Sequence, residues 1–425
     1  MSVKIISETK QSITLEVVIN FDNENFLQTE ERIMNGVNEM GKKATQKAME
    51  NLDINEQVLQ RNKEKLYAKK KPKKYKTPYG EIEVNRKVFA PLKKGKQYCP
   101  VEKKAYIIKT ATPKLAKLVS NKYIHMSSKF VQDDLQNNHN LSLSQSFIQI
   151  LSQQVSNKLQ AQEANLEYTI PTVIDKEVVA TISIGLDGTC MPMGGSNWRE
   201  AMCGTISLYD KIGIRLDTIY VANAPEYGKK RFKERMNNEI LDVKKAFPNV
   251  KIVGVADGAQ ENWKFLSQYT ESNTLDFYHA TEYLSKASKG VHPRSQEKQN
   301  DWFTKACTTL KNVATGAKDL LEEITKLQDK KLPINIQKGV DSTITYFNNN
   351  LHRMNYKNSI DNNLPIGSGV TESACKILVK QRVCISRANW SEYGAKRFLP
   401  IRAIVFTDGR WNQVWDKLTE NSIVA

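Results

Sequence analysis

Two apolar, β-rich runs 70 residues apart end on the same dipeptide. Thr181-Ile-Ser-Ile-Gly-Leu-Asp187-Gly188 closes on an acid and a glycine, and Lys251-Ile-Val-Gly-Val-Ala-Asp257-Gly258 repeats the design. Short β-branched runs bounded in this way read as strands that stop at the acid. Two such strands can set two carboxylates side by side at one edge of a sheet, and paired carboxylates are how proteins hold Mg²⁺. The chain is therefore expected to build a metal-dependent phosphoryl-transfer core around Asp187 and Asp257. A turn role at each strand end is the plainer alternative, and the recurrence of the motif argues against it.

The segments around these runs fill in a sheet. Gly194-Gly195 suits a hairpin, and Ala201–Tyr209 and Arg215–Ala222 are the next extended runs. Three strands with tight connections imply antiparallel pairing. Glu226 to Phe247 carries Phe232, Met236, Ile240, Val243 and Phe247 on one helical stripe and ends at Pro248. That helix crosses over, so the Asp257 strand should lie parallel to the Asp187 strand and beside it. Trp263 and Phe265 open a further helix, and Thr274 to His279 gives another strand. The order β-β-β-α-β-α-β is similar to the ribonuclease H fold, in which acids at the ends of the first and fourth strands bind two metal ions. The fold class is thus mixed α+β, a ribonuclease H-like core interrupted by an all-α insertion.

The third acid is expected on a helix. From Glu282 to Asp361 the chain is helical with little glycine, too long for a simple connection. It then reaches the glycine-rich turn Leu364–Gly369 and the run Val370-Thr371-Glu372-Ser373. Ser368 or Thr371 could cap this helix, and a glutamate in its first turn also suits the helix dipole, so Glu372 reads as a capping acid or a ligand.

These motifs together carry a resemblance. Gly185-Leu-Asp187-Gly188-Thr189, Trp198-Arg199-Glu200, Gly254-Val-Ala-Asp257-Gly258-Ala259, Asp276-Phe-Tyr-His279-Ala280 and Gly367-Ser-Gly369-Val-Thr-Glu372-Ser373 occur in order. Arg382, Asn389-Trp390-Ser391 and Gly409-Arg410-Trp411-Asn412 extend the set. The pattern resembles the DDE transposases of bacterial insertion sequences of the ISKra type, related to the mutator-like group. It covers residues 180 to 415, and the N-terminal half only in general layout. The resemblance implies that Asp187, Asp257 and Glu372 hold two Mg²⁺, with Mn²⁺ as a substitute, and that Asp276 and His279 are active-site neighbours. A histidine after a buried strand is otherwise an ordinary core residue. It further implies double-stranded DNA as partner, both transposon ends and target, and a homodimer.

Charge is where composition matters. The 425-residue chain has 63 Lys and Arg against 46 Asp and Glu, a formal charge of +17, which favours a polyanion. Arg61 to Lys104 holds 16 basic and 4 acidic residues. In it a basic loop, Lys69, Lys70, Lys71, Lys73, Lys74 and Lys76, leads through the turn Thr77-Pro-Tyr-Gly80 into a half-buried strand with Arg86, a layout suited to phosphate contact or to a plain solvated face. Helices from Pro113, from Lys129 to Gln136 and from Ser142 to Val155, joined by Asn137-Asn-His-Asn140, resemble a helix-turn-helix or a plain three-helix bundle. Trp198, Arg199, Arg382 and Trp390 are further candidates for DNA contact. For the last two, a closing core rich in tryptophan is the alternative.

The expected division is a helical arm 1–68, a basic β unit 69–112, DNA-binding helices 113–165, the core 176–281 with 364–425, and the insertion 282–363. A polar linker is expected over 161–175. The six cysteines show no Cys-x-x-Cys pair, which points to reduced thiols. With no apolar run of about 18 residues and no charged-then-apolar leader, a cytoplasmic, nucleoid-associated protein is expected, and no membrane partner. A non-catalytic DNA-binding derivative and a nuclease that cuts without joining are the competing functions.

Overall fold

The computed structural model describes residues 2–21, 25–52, 66–91, 97–162, 177–195, 197–385 and 388–420. Residues 163–175 of the expected linker lie outside them, as do 61–65 and 92–96 of the basic stretch. The chain divides into two compact units, Met1–Glu167 with Asn412–Ala425, and Tyr168–Trp411. Among the described residues no helix is long and apolar enough to cross a membrane.

In the first unit a hairpin of β1 (Ser2–Glu8) and β2 (Ile13–Val18) precedes the helix Phe26–Glu50. The Asn25 side chain caps that helix by accepting from Gln28 N. The lysine run differs from its expectation as a loop. It is a full strand, β3 (Leu66–Thr77), paired rung for rung with β4 (Gly80–Pro91). Alternation explains this. Tyr75, Thr77, Ile82 and Val84 share one face and are buried, Tyr75 directly opposite Ile82, while Lys70, Lys74 and Lys76 alternate onto the other face and Lys73, opposite Val84, sits at the margin of the buried side. Pro72 is tolerated because a two-stranded ribbon has a free edge for a residue without an N–H. Gly80, at φ +127°, makes the turn. Tyr75, Ile82 and Val84 form a small core with Met49, Cys99 and Val101.

Three helices follow: Pro113–His125, Ser128–His139 and Gln145–Gln162. Their buried faces carry Leu115, Val119 and Ile124, then Val131 and Leu135, then Ile148, Leu151 and Val155. The Ser144 hydroxyl accepts from Phe147 N, in the first turn of the third helix.

The second unit is built on a five-stranded mixed sheet. Its strands are β5 (Thr181–Met193), β6 (Asn197–Tyr209), β7 (Arg215–Asn223), β8 (Lys251–Ala256) and β9 (Ser272–Leu275), in the order β7-β6-β5-β8-β9. β5, β6 and β7 are antiparallel, while β8 runs parallel to β5 and β9 to β8. Ile182, Ile184 and Leu186 of β5 and Ile206 and Leu208 of β6 enter one core with Phe232, Met236, Ile240 and Val243 of the crossover helix Lys230–Ala246. Between Phe277 and Asn350 four α-helices add Leu284, Leu310, Leu320, Ile324 and Phe347 to the same core.

Two boundaries depart from the sequence reading. β5 does not stop at Asp187 but continues to Met193, because β6 pairs with it along its whole length, from Thr181 opposite Tyr209 to Met193 opposite Asn197. β9 ends at Leu275, before the expected strand does. The Asp276 side chain accepts from His279 N and starts the helix Phe277–Val291, so His279 lies in a first helical turn.

Candidate functional site

Asp187 and Asp257 come together through strand register. The last parallel rung between β5 and β8 sets Ile184 opposite Gly254. Each acid lies three residues further along its own chain. β8 ends at Ala256, so β5 projects past it and Asp257 begins the turn that leaves the sheet. Asp187 Oδ1 accepts from Gly188 N at 2.7 Å and Oδ2 from the Cys375 thiol at 3.4 Å. Asp257 Oδ1 accepts from Ala259 N at 3.1 Å and from the Asn262 amide at 3.4 Å, and that amide also reaches Leu186 O at 3.3 Å. One side chain thus ties the turn after β8 to β5. Burial raises the pKa of Asp187 against the hydrogen bonds from Cys375 and Gly188, and the charges of Asp257 and Glu372 raise it further.

Glu372 is carried by the helix Gly369–Ala374, which runs on into a π turn at Cys375–Lys380. Thr371 fixes the helix to the sheet, its hydroxyl 2.7 Å from that of Thr205 in β6. Ser368 holds the cap position, yet its side chain makes no capping bond. The hydroxyl instead lies 2.9 Å from both Asp276 Oδ2 and Glu372 Oε1. It has one proton, so it donates to one carboxylate at a time.

Asp276 has no exposed surface. Its Oδ1 accepts from His279 N at 2.6 Å and lies 3.0 Å from His279 Nδ1, while Oδ2 accepts from Ser368 N at 2.5 Å. Burial works against its charge, but the bonds from His279 and Ser368 prevail and hold its pKa down to about 2. The bond to Asp276 in turn raises His279 to about 9, so the ring is an imidazolium at neutral pH. Its Nδ1 lies 4.0 Å from Glu372 Oε1.

Among the described residues, Asp276, His279 and Glu372 form a set of three whose ligand atoms all lie within 4.8 Å of one another, a group that could hold a metal ion. Asp187, Asp257 and Glu372 do not close to that spacing, although the charges of Asp257 and Glu372 both act on Asp187. Cys375, Asn262 and Ser368 were not singled out from the sequence as site residues. Cys375 was legible as the i+3 neighbour of Glu372 on one helix face, whereas Asn262 had no signal beyond its place after the turn.

The residues expected to meet DNA are scattered in role. Lys69, Lys70 and Lys74 are exposed, Lys74 pairing with Glu81 at 3.0 Å, and Lys71 and Lys76 are partly covered. Lys73 and Arg86 turn inward to Glu102, at 2.8 and 3.5 Å. Trp198 is 61% exposed, with Lys380 Nζ 5.8 Å from its ring centre. Arg199 pairs with Glu392. Arg382 is buried, its guanidinium over the rings of Trp390 and Phe398. Trp390 donates from Nε1 to Val383 O at 3.1 Å and accepts at its carbonyl from Gly194 N at 3.0 Å, which anchors the tip of the β5–β6 hairpin.

No family model and no curated protein matches the chain.

Proposed function

We propose that this chain is a DDE transposase, with Asp187, Asp257 and Glu372 as metal ligands of a ribonuclease H-like core. The observation that carries the reading is the level placement of Asp187 and Asp257 on neighbouring parallel strands, with the Glu372 helix pinned to the same sheet by Thr371. The strand order β7-β6-β5-β8-β9, a three-stranded meander followed by two parallel strands, supports the fold assignment.

The donor set fits Mg²⁺. It is all carboxylate oxygen, the preference of a hard cation, and Asp187 is destabilised in its charged form by burial and by its two acidic neighbours. Asp276 is a poorer ligand because it has no exposed surface and its oxygens are held by strong donors of His279 and Ser368, whereas those of Asp187 meet one amide and one weak thiol donor. Two Mg²⁺ ions, with Mn²⁺ as a substitute, would supply Lewis acidity toward a phosphodiester and an activated water or 3′-hydroxyl. The chain's own task is positioning. Asp276 holds His279 in its protonated form, and the imidazolium stands beside Glu372, where it can donate to a phosphate oxygen. The exposed lysines of β3 would track the DNA backbone, and a homodimer would bring two transposon ends together.

Nicking of DNA that carries the element's ends, assayed with and without Mg²⁺, tests the reading. Metal-dependent cleavage lost in Asp187→Asn, Asp257→Asn and Glu372→Gln supports it, and cleavage retained in any one removes that residue from the ligand set. Joining of the cut end to a target strand separates a transposase from a nuclease of the same core.

A further inference from the structure

Behind the Asp257 turn lies a cleft of about 500 Å³. It is bounded by Gly258, by the helix Gln260–Leu266, and by the end of the helix Ile334–Asn350 with the turn Leu351–Arg353. The volume is within the range of small-ligand sites, about 300–1,000 Å³. None of its described lining residues is acidic, while Lys264, Arg353 and His352 contribute cationic or donor groups.

The walls are chemically specific. Trp263 is only 3% exposed, and its indole N–H has no acceptor among the described residues. The Arg353 guanidinium lies 4.5 Å from the centre of that indole and donates to Asn350 Oδ1 at 3.3 Å, while its Nε–H has no acceptor among the described residues. Both of these atoms are covered within the wall; what faces a ligand is the pair of cationic lining residues, Arg353 and Lys264, with no acidic residue beside them in the described lining, and this favours an anion. The Gln260 and Asn349 amides offer the paired donor and acceptor that read a base edge. Tyr346 stacks on Tyr283 with ring centres 3.8 Å apart and covers the Gly258 Cα, where a Cβ would meet its ring at 2.6 Å. One wall of the cleft is thus in contact with the residue after Asp257.

We propose that this cleft binds one unpaired nucleotide, its phosphate at Arg353 and Lys264 and its base between the Tyr346 side and the amides. The site takes the nucleotide from a DNA strand leaving the acidic cluster, and only that choice of source rests on the transposase reading. The chemistry of the walls suits a nucleoside phosphate, free or in a strand.

The test uses the full chain in EDTA, so that no cutting occurs. Binding is followed by anisotropy for a blunt duplex, for the same duplex with a short single-stranded 3′ overhang and, separately, for fluorescently labelled 5′-dAMP alone. The expected result is about tenfold tighter binding of the overhang, within the usual strength of base stacking and phosphate contact. In Lys264→Gln, an exposed position that leaves the fold intact, and in Arg353→Gln the preference falls while blunt-duplex affinity holds. Saturable binding of labelled 5′-dAMP that Arg353→Gln weakens, without overhang preference, also supports the site and assigns its ligand as free nucleotide. Equal binding of both duplexes together with no binding of 5′-dAMP overturns the proposal. Failure to bind either duplex counts against the DNA reading, and the 5′-dAMP titration then still decides the cleft.

Discussion

Asp187 and Asp257 lie at equal distance past the same rung of two parallel strands, three residues beyond Ile184 and Gly254. Strand spacing is about 4.8 Å, so the register itself brings two negative charges together. The arrangement disfavours ionised Asp187, whose raised pKa follows first from burial and then from Asp257 and Glu372.

That cost predicts a trade between stability and metal binding. A carboxyl with a raised folded pKa stabilises the fold at pH values below its ordinary value and loses that contribution as pH rises through the raised one. In metal-free protein at neutral pH, Asp187→Asn should therefore melt at or above the wild-type temperature, with the difference shrinking as pH falls toward and below the ordinary carboxylate value of 3.8. Added Mg²⁺ should raise the melting temperature of the wild type and leave that of the variant unchanged. A variant less stable than wild type in EDTA would contradict this account of the site.

Gly185 is where the helix of Glu372 meets the sheet. A Cβ at this position would overlap Thr371 Oγ1 and stand 3.1 Å from Thr205 Oγ1 and 3.2 Å from Val255 O. Gly185→Ala is expected to destabilise the fold by about 1–3 kcal/mol, as overpacking does, and to displace Glu372. Urea unfolding measures the first effect. Combining Gly185→Ala with Thr371→Ala, which removes the obstructing hydroxyl, should recover part of the loss, and no recovery would place the strain elsewhere.

The strands of the large sheet, its antiparallel and parallel pairings and the crossover helix were legible because each is a local pattern of apolar residues with a period of two or 3.6. What was not legible depended on partners distant in sequence. Asp187 reads as a strand end, but β6 extends β5 past it. His279 reads as part of a strand, but Asp276 is an N-cap whose second oxygen is taken by Ser368. The lysine run reads as a loop because six lysines mask the alternation of Tyr75 and Thr77, which only Ile82 and Val84 across the hairpin make meaningful. Arg382 and Trp390 look alike as DNA-contact candidates, whereas in the fold the arginine is buried beneath the tryptophan.

That last contrast gives a paired experiment. Lys69, Lys70 and Lys74 are exposed on β3. Changing all three to Gln should leave the melting temperature within about a degree, surface changes of this kind being near neutral. The slope of log affinity for duplex DNA against log salt should fall by about 2–3, nearly one for each phosphate that is no longer neutralised. Arg382→Ala should act oppositely, lowering stability by about 2–3 kcal/mol by removing packing and a cation–π interaction and leaving the salt slope of the folded fraction unchanged. An unaltered slope in the lysine variant would remove β3 from the proposed DNA contact.

The Asp276–His279 pair makes a pH prediction for the metal-free protein. His279 faces Asp276, Glu282 and Glu372, and its pKa of about 9 lies above the ordinary 6.5. Its stabilising contribution is complete below about pH 6.5 and fades as pH rises through 9. Asp276, held to about 2 against an ordinary 3.8, contributes fully above about pH 4 and loses its contribution as pH falls through 2. Stability from this pair should therefore be flat between pH 4 and 6.5 and decline on both sides. Proton resonances of the His279 ring, followed from pH 5 to 10 in EDTA, should show a midpoint near 9. Ser368→Ala removes the hydroxyl from Asp276 Oδ2 but keeps the backbone donor, so the unfolding free energy should fall by about 1.5–3 kcal/mol. The His279 midpoint should stay well above 6.5, because its own bond to Asp276 Oδ1 persists. A midpoint near 6.5 in the wild type would mean that Asp276 does not hold the ring, and the positioning role assigned to the pair would fail with it.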